Sequence, residues 1–219
     1  MFDANIILKS REIKALLQAS AVQMRSLGYT EHSFRHCRLV SKKSCEILTL
    51  IGTDENEAIL AGIAGYIHDI GNAVNRNSHP QSGALLAYDL LIRKGMLYDD
   101  AVAIMMAIAN HDEHNGSPVS RIAAALILSD KADVHRSRVT NKIRSTYDIH
   151  DRVNYAATKS VLNIDAHNHT ATLNIEIDTK ISSIMDYFEI FLNRMKMCRN
   201  AADFLGLKFI LLINGTQLL

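Results

Sequence analysis

The chain has 219 residues, 48% hydrophobic and 21% charged, which suits one globular domain, or one domain with an appendage, able to bury a real core. With 24 basic and 23 acidic side chains the formal net charge is +1, so bulk electrostatics make no case for a nucleic-acid partner, although local basic patches remain compatible with one. The cysteines Cys37, Cys45 and Cys198 form no CxxC pair, which argues against a disulfide framework or a thiolate zinc site and points to a reducing compartment.

The first residues, MFDANIILKSREIK, carry Asp3 early and only the short apolar run IIL, unlike a secretory signal. FILLI, at 209–213, is far shorter than the ~20 residues a membrane helix needs. A cytoplasmic protein that does not enter the membrane is the expectation.

From Ser10 to Leu27 the apolar positions Ile13, Leu16, Leu17, Val22 and Met24 predict a helix closed by Gly28. A second helix is expected from Glu31 to Ile51, ended by Gly52. Thr53 or Asp54 caps a third, from Glu55 to about Asp69, with Gly71 where a left-handed helix-ending residue belongs. After the polar loop NAVNRNS, His79-Pro80 opens a fourth that Gly95 stops. Asp99 or Asp100 opens AVAIMMAIANH, and RIAAALILSDKAD after Val119 reads as a strongly apolar sixth helix.

Residues 1–158 thus read as a helical domain and 159–219 as a small α+β extension. In TATLNIEID, apolar Ala171, Leu173, Ile175 and Ile177 alternate with polar residues, predicting a half-buried strand paired with VLNIDA across HNH. A long helix follows, with Ile181, Ile184, Met185, Phe188, Leu192 and Met195 assigned to one face. LKFILLI is then a buried strand, ending at the hairpin signal Asn214-Gly215.

Polar residues recur in apolar places. His36 is flanked by Phe34, Leu39 and Val40; His68 and Asp69 end the third helix; His79 opens the fourth; His111 ends the fifth; Asp130 interrupts the sixth. Taken singly, each has an ordinary explanation: a core histidine with a hydrogen bond, an aspartate paired with Lys131 or Arg121, or a helix stop. An ionised carboxylate buried without a partner costs several kcal/mol or more, so Asp130 needs a cation nearby or must lie exposed. Together, the set is explained by a divalent cation, since imidazole and carboxylate from packed helices suit Zn, Mn, Fe or Ni. Neighbours on a helix point about 100° apart, so His68 and Asp69 can converge only where the helix ends.

His36, then His68-Asp69, then Asp130 resembles the H…HD…D signature of the HD superfamily of metal-dependent phosphohydrolases, over roughly residues 30–140. The resemblance implies a mainly α, HD-domain-like helical bundle ahead of the α+β extension (β-hairpin, long helix, terminal strand). It also implies that these four residues bind a metal ion. HPQSGA and NHDEHNG further look like segments of the HD-GYP branch, which implies that His79 and His111 hold a second ion bridged by Asp69. Asn110 stands where that branch has a histidine, Asn72 replaces the lysine of its HDIGK, and SPVSR lacks the GYP tripeptide. A cyclic-dinucleotide phosphodiesterase is therefore disfavoured. His32 and His114 are accessory candidates, for metal or base and for substrate respectively.

The expected cofactor is one or two divalent ions among Mn, Fe, Co, Ni, Zn and Mg. Such an ion makes hydroxide available near neutral pH, and two ions about 3.5–4 Å apart suit in-line displacement at phosphorus. Asp69 and Lys131 are the expected catalytic residues, Asp69 as the bridge between ions and Lys131, with Arg136 or Arg138, as the clamp on substrate phosphate. No P-loop, GxGxxG or GxSxG is present. The expected function is hydrolysis of a small phosphorylated molecule such as a nucleotide. The alternative is a metal-stabilised ligand-binding or regulatory module, whose extension could serve as a dimer surface; a di-iron oxygenase is a third reading.

Overall fold

Side-chain caps set several of the helix starts. In the computed structural model of the protein, which describes residues 2–31 and 34–218, the first elements are α1 (Asn5–Leu8) and α2 (Arg11–Ser26). Ser10 caps α2 by accepting from the Ile13 amide. Next come α3 (Phe34–Leu50) and α4 (Glu55–Ile67), the latter capped by Asp54. Then follow α5 (His79–Arg93), with Pro80 in its first turn, α6 (Tyr98–Ala109), and α7 (Arg121–Lys131), capped by Ser120. The short α8 (Ile149–Ala156) was not anticipated as a separate element.

Two of these helices are buried around most of their circumference, as expected of central helices. In α7 every residue from Ile122 to Lys131 is buried; in α4 the same holds from Leu60 to Ile67. α3 packs on both, and α5 pairs with α6. Helical packing therefore surrounds the position from which Asp130 projects.

The extension holds β1 (Ala157–Asp165), β2 (Thr170–Ile177), α9 (Ile184–Phe204), β3 (Lys208–Ile213) and β4 (Thr216–Gln217), in sheet order β1-β2-β3-β4. β1 and β2 form the expected antiparallel hairpin, with Leu162 opposite Leu173. The alternation in β2 is as read: Ala171, Leu173, Ile175 and Ile177 are buried. β2 and β3 are parallel, with Ile175 opposite Ile213. Asn214 and Gly215, both at positive φ, turn the chain into β4.

Two sequence expectations need correction. The buried face of α9 is Tyr187, Phe191, Met195, Cys198 and Ala202, whereas Met185 and Leu192 are 74% and 45% exposed. The aliphatic pattern misled because the aromatic rings set the phase: Tyr187 packs edge-on against Phe191 and its hydroxyl meets the Met195 sulfur. Gly71 does not occupy the left-handed region. It lies in a 3-10 turn, Ile70–Ala73, where a Cβ would sit 2.0 Å from the His79 carbonyl oxygen and 2.6 Å from the Gly83 nitrogen. Its lack of a side chain serves close backbone approach.

No helix among the described residues is long and apolar enough to cross a membrane.

Candidate metal centre

Glycines bring the ligand-bearing helices together. A Cβ on Gly65 of α4 would stand 2.9 Å from the Ser41 backbone of α3, and the Ser41 hydroxyl donates to the Gly62 carbonyl at 2.7 Å. This close crossing sets His36, on the buried stripe of α3, beside the end of α4. There His68 still has helical φ and ψ (−56°, −32°), while Asp69 has left the helix (−96°, 4°). The adjacent pair turns toward one point because regular geometry stops between them. Gly71 against Gly83 then holds the start of α5, and with it His79, against that same turn.

The six candidate ligands meet in the interior. His36 Nε2 lies 3.2 Å from Asp130 Oδ1 and 3.9 Å from Asp69 Oδ2. His68 Nε2 lies 3.3 Å from Asp69 Oδ2 and 3.7 Å from Asp130 Oδ1. On the other side, His79 Nε2 is 3.7 Å from Asp69 Oδ1 and 3.3 Å from His111 Nε2. Two groups, His36–His68–Asp130 and His68–Asp69–His111, each offer ligand atoms within 4.8 Å of one another. Asp69 belongs to both sides: Oδ2 faces His36 and His68, Oδ1 faces His79.

The rings are held from behind. His68, His79 and His111 each set Nδ1 against the carbonyl three residues earlier, Gly65 at 2.9 Å, Arg76 at 3.1 Å and Ile108 at 2.6 Å. A carbonyl only accepts, so Nδ1 carries the proton and Nε2 presents a lone pair inward. His36 Nδ1 lies 2.8 Å from Asp133 Oδ2, which also accepts from Arg35. Asn72 donates to Asp69 Oδ1 at 2.8 Å.

These residues fit a divalent cation. His68 Nε2 is buried and faces carboxylate oxygens, Asp69 Oδ2 at 3.3 Å and Asp130 Oδ1 at 3.7 Å, an arrangement that a cation between them would satisfy. His79 Nε2 and His111 Nε2 stand 3.3 Å apart, with Arg76 Nη1 3.2 Å from the former, and a metal would satisfy both nitrogens. Burial, followed by the neighbouring His68 and His79, pushes His111 down to about 3, and burial also lowers His79, so a proton is the poorer choice. Burial works against ionisation of Asp130, but its neighbours, Lys131 foremost, outweigh it and hold the carboxyl well below its usual range. Asp130 thus has the cation that its burial demands.

Three basic residues expected to clamp phosphate have other partners. Lys131 is buried between Asp130 (2.8 Å) and Glu113 (2.5 Å). Arg138 donates to the carbonyls of Glu31 and Asp133. Arg136 lies over the Tyr155 ring. None of the three is among the described residues lining the cavity of about 630 Å³ that opens beside His79. The arginines that do line it are Arg76, whose Nη1 is 3.2 Å from His79 Nε2, and Arg194 of α9. His114 lines it too, and its amide donates to Asp112 Oδ1. His32 lies outside the described residues.

Sequence reasoning missed Asp133, Asn72, Arg76, Glu113 and Arg194. Only Asp133 had a local signal, standing one helical turn after Asp130. Because Asp133 orients His36, Asp133→Asn is expected to weaken metal binding roughly 10- to 100-fold, as loss of such outer partners does. Calorimetric titration of the metal-free variant with Mn2+ checks this.

No family model matches the chain. It is similar to an uncharacterized protein of Methanocaldococcus jannaschii, 25% identical over 168 residues that cover 66% of this chain and 64% of that protein.

Proposed function

We propose that the chain is a metal-dependent phosphohydrolase of the HD type, acting on a small phosphorylated molecule such as a nucleotide. The observation that carries this reading is the convergence of four inward imidazole lone pairs on Asp69 and Asp130 in a buried cluster. His36, His68 and Asp130 would hold one ion, and His79 and His111 a second, with Asp69 between them. Divalent ions bound there supply an acidified water and Lewis-acid polarisation of a phosphoryl oxygen.

The chain's own residues do the rest. Asp133 and the three carbonyls keep every imidazole in one tautomer and orientation, so the cluster is organised before substrate arrives. Arg76, beside His79 and lining the cavity, would take phosphate oxygens of the substrate. The cavity is within the usual size range for a small-molecule site.

The test is a panel of phosphate esters, including an aryl phosphate, offered to the purified protein loaded with Mn2+, Co2+ or Ni2+. Release of phosphate or of the aryl alcohol is the expected result. Thermal stabilisation by the same compounds without turnover would instead favour the ligand-binding module.

A further inference from the structure

Four alternating charges run from α9 into the histidine cluster. Arg194 Nε donates to Glu113 Oε1 at 2.9 Å, and Glu113 Oε2 lies 2.5 Å from Lys131 Nζ. Lys131 Nζ in turn lies 2.8 Å from Asp130 Oδ2, leaving Oδ1 to face His36 and His68. Lys131 and Asp130 are 4% and 8% exposed. Buried ion pairs seldom stabilise a protein more than apolar residues of the same volume would, so such a row asks for a reason beyond stability.

We propose that Arg194 is a positioning residue for Asp130, acting through Glu113 and Lys131; the inference rests on the metal-binding part of the proposed function. Each link fixes the next. The Arg194 guanidinium lies over the Phe191 ring, 4.7 Å from its centre, which sets the direction of Nε. That anchors one oxygen of Glu113, in the loop between α6 and α7, and turns the other toward Lys131. Lys131, so held, occupies one oxygen of Asp130 and leaves the other aimed at the two histidines. The extension, for which the sequence offered no chemistry, thereby reaches the centre through Glu113, 81 residues before Arg194.

The test titrates metal-free full-length chain with Mn2+, Co2+, Ni2+ and Zn2+ in turn, comparing wild type, Arg194→Gln and Arg194→Lys, with circular dichroism to monitor the fold. Arg194→Gln is expected to bind roughly tenfold more weakly with its helical signal retained, and Arg194→Lys to recover most of that loss. A purely electrostatic role has the opposite sign, because deleting a positive charge near a cation site tightens binding. Unchanged or tighter binding by folded Arg194→Gln overturns this inference alone. A wild-type chain that binds none of the four ions overturns the metal reading and this inference with it. Should Arg194→Gln fail to fold, Glu113→Asp keeps the charge and shortens the same row one link further in; weaker binding supports the relay, and unchanged affinity overturns it.

Discussion

Replacing Asp69 with alanine is expected to abolish hydrolysis and to strip the protein of metal while leaving its helical content nearly intact. Among the described residues, the carboxylate is the one group whose two oxygens face the two halves of the cluster, Oδ2 toward His36 and His68 and Oδ1 toward His79. Alanine removes both at once. The backbone role of residue 69 survives, since the Ser20 hydroxyl and the Asn72 amide still find its carbonyl. The structural cost includes the lost acceptor for Asn72, about 1–3 kcal/mol. Phosphate release, elemental analysis after dialysis and far-ultraviolet circular dichroism measure the three outcomes. Full activity with a full complement of metal would falsify the proposed function.

Gly71→Ala is expected to cost the chain about 3 kcal/mol of stability. The added Cβ meets backbone on two sides, at 2.0 Å from the His79 carbonyl and 2.6 Å from the Gly83 amide, and neither can rotate away. Relief requires α5 to move off the turn after α4, which draws His79 away from His68 and Asp69. The denaturation midpoint should fall and the metal stoichiometry with it. Gly62→Ala is the internal control: its nearest neighbour is the Cys45 Cβ at 3.3 Å, and the same assay should register a much smaller change.

The candidate ligands were legible in the sequence because each breaks a local pattern. His36 and Asp130 interrupt apolar faces, and His68-Asp69 and His111 fall where helical periodicity ends. Alternation marked β2, and paired turn residues marked the final hairpin. What stayed hidden depends on contacts between distant segments. Nothing near Arg194 reports that Glu113 lies opposite it, and nothing in SDKAD says whether Lys131 faces solvent or Glu113. The phosphate clamp was therefore assigned to the basic residues nearest in sequence, while Arg76 and Arg194 line the cavity from other elements. Gly71 was read as a helix terminator for a similar reason: a glycine needed for clearance and one needed for positive φ look alike in a string of letters.

The parallel pairing of β2 with β3 bears on how firmly α9 is held. Parallel neighbours cannot be joined by a tight turn, so the chain between them must travel the length of the sheet and return, and α9 is that return path. A helix spliced between two strands that are bonded to each other is tethered at both ends and cannot swing about a single hinge. Arg194, near its middle, is carried on a doubly anchored strut, and displacing it would mean tearing a ladder of main-chain bonds.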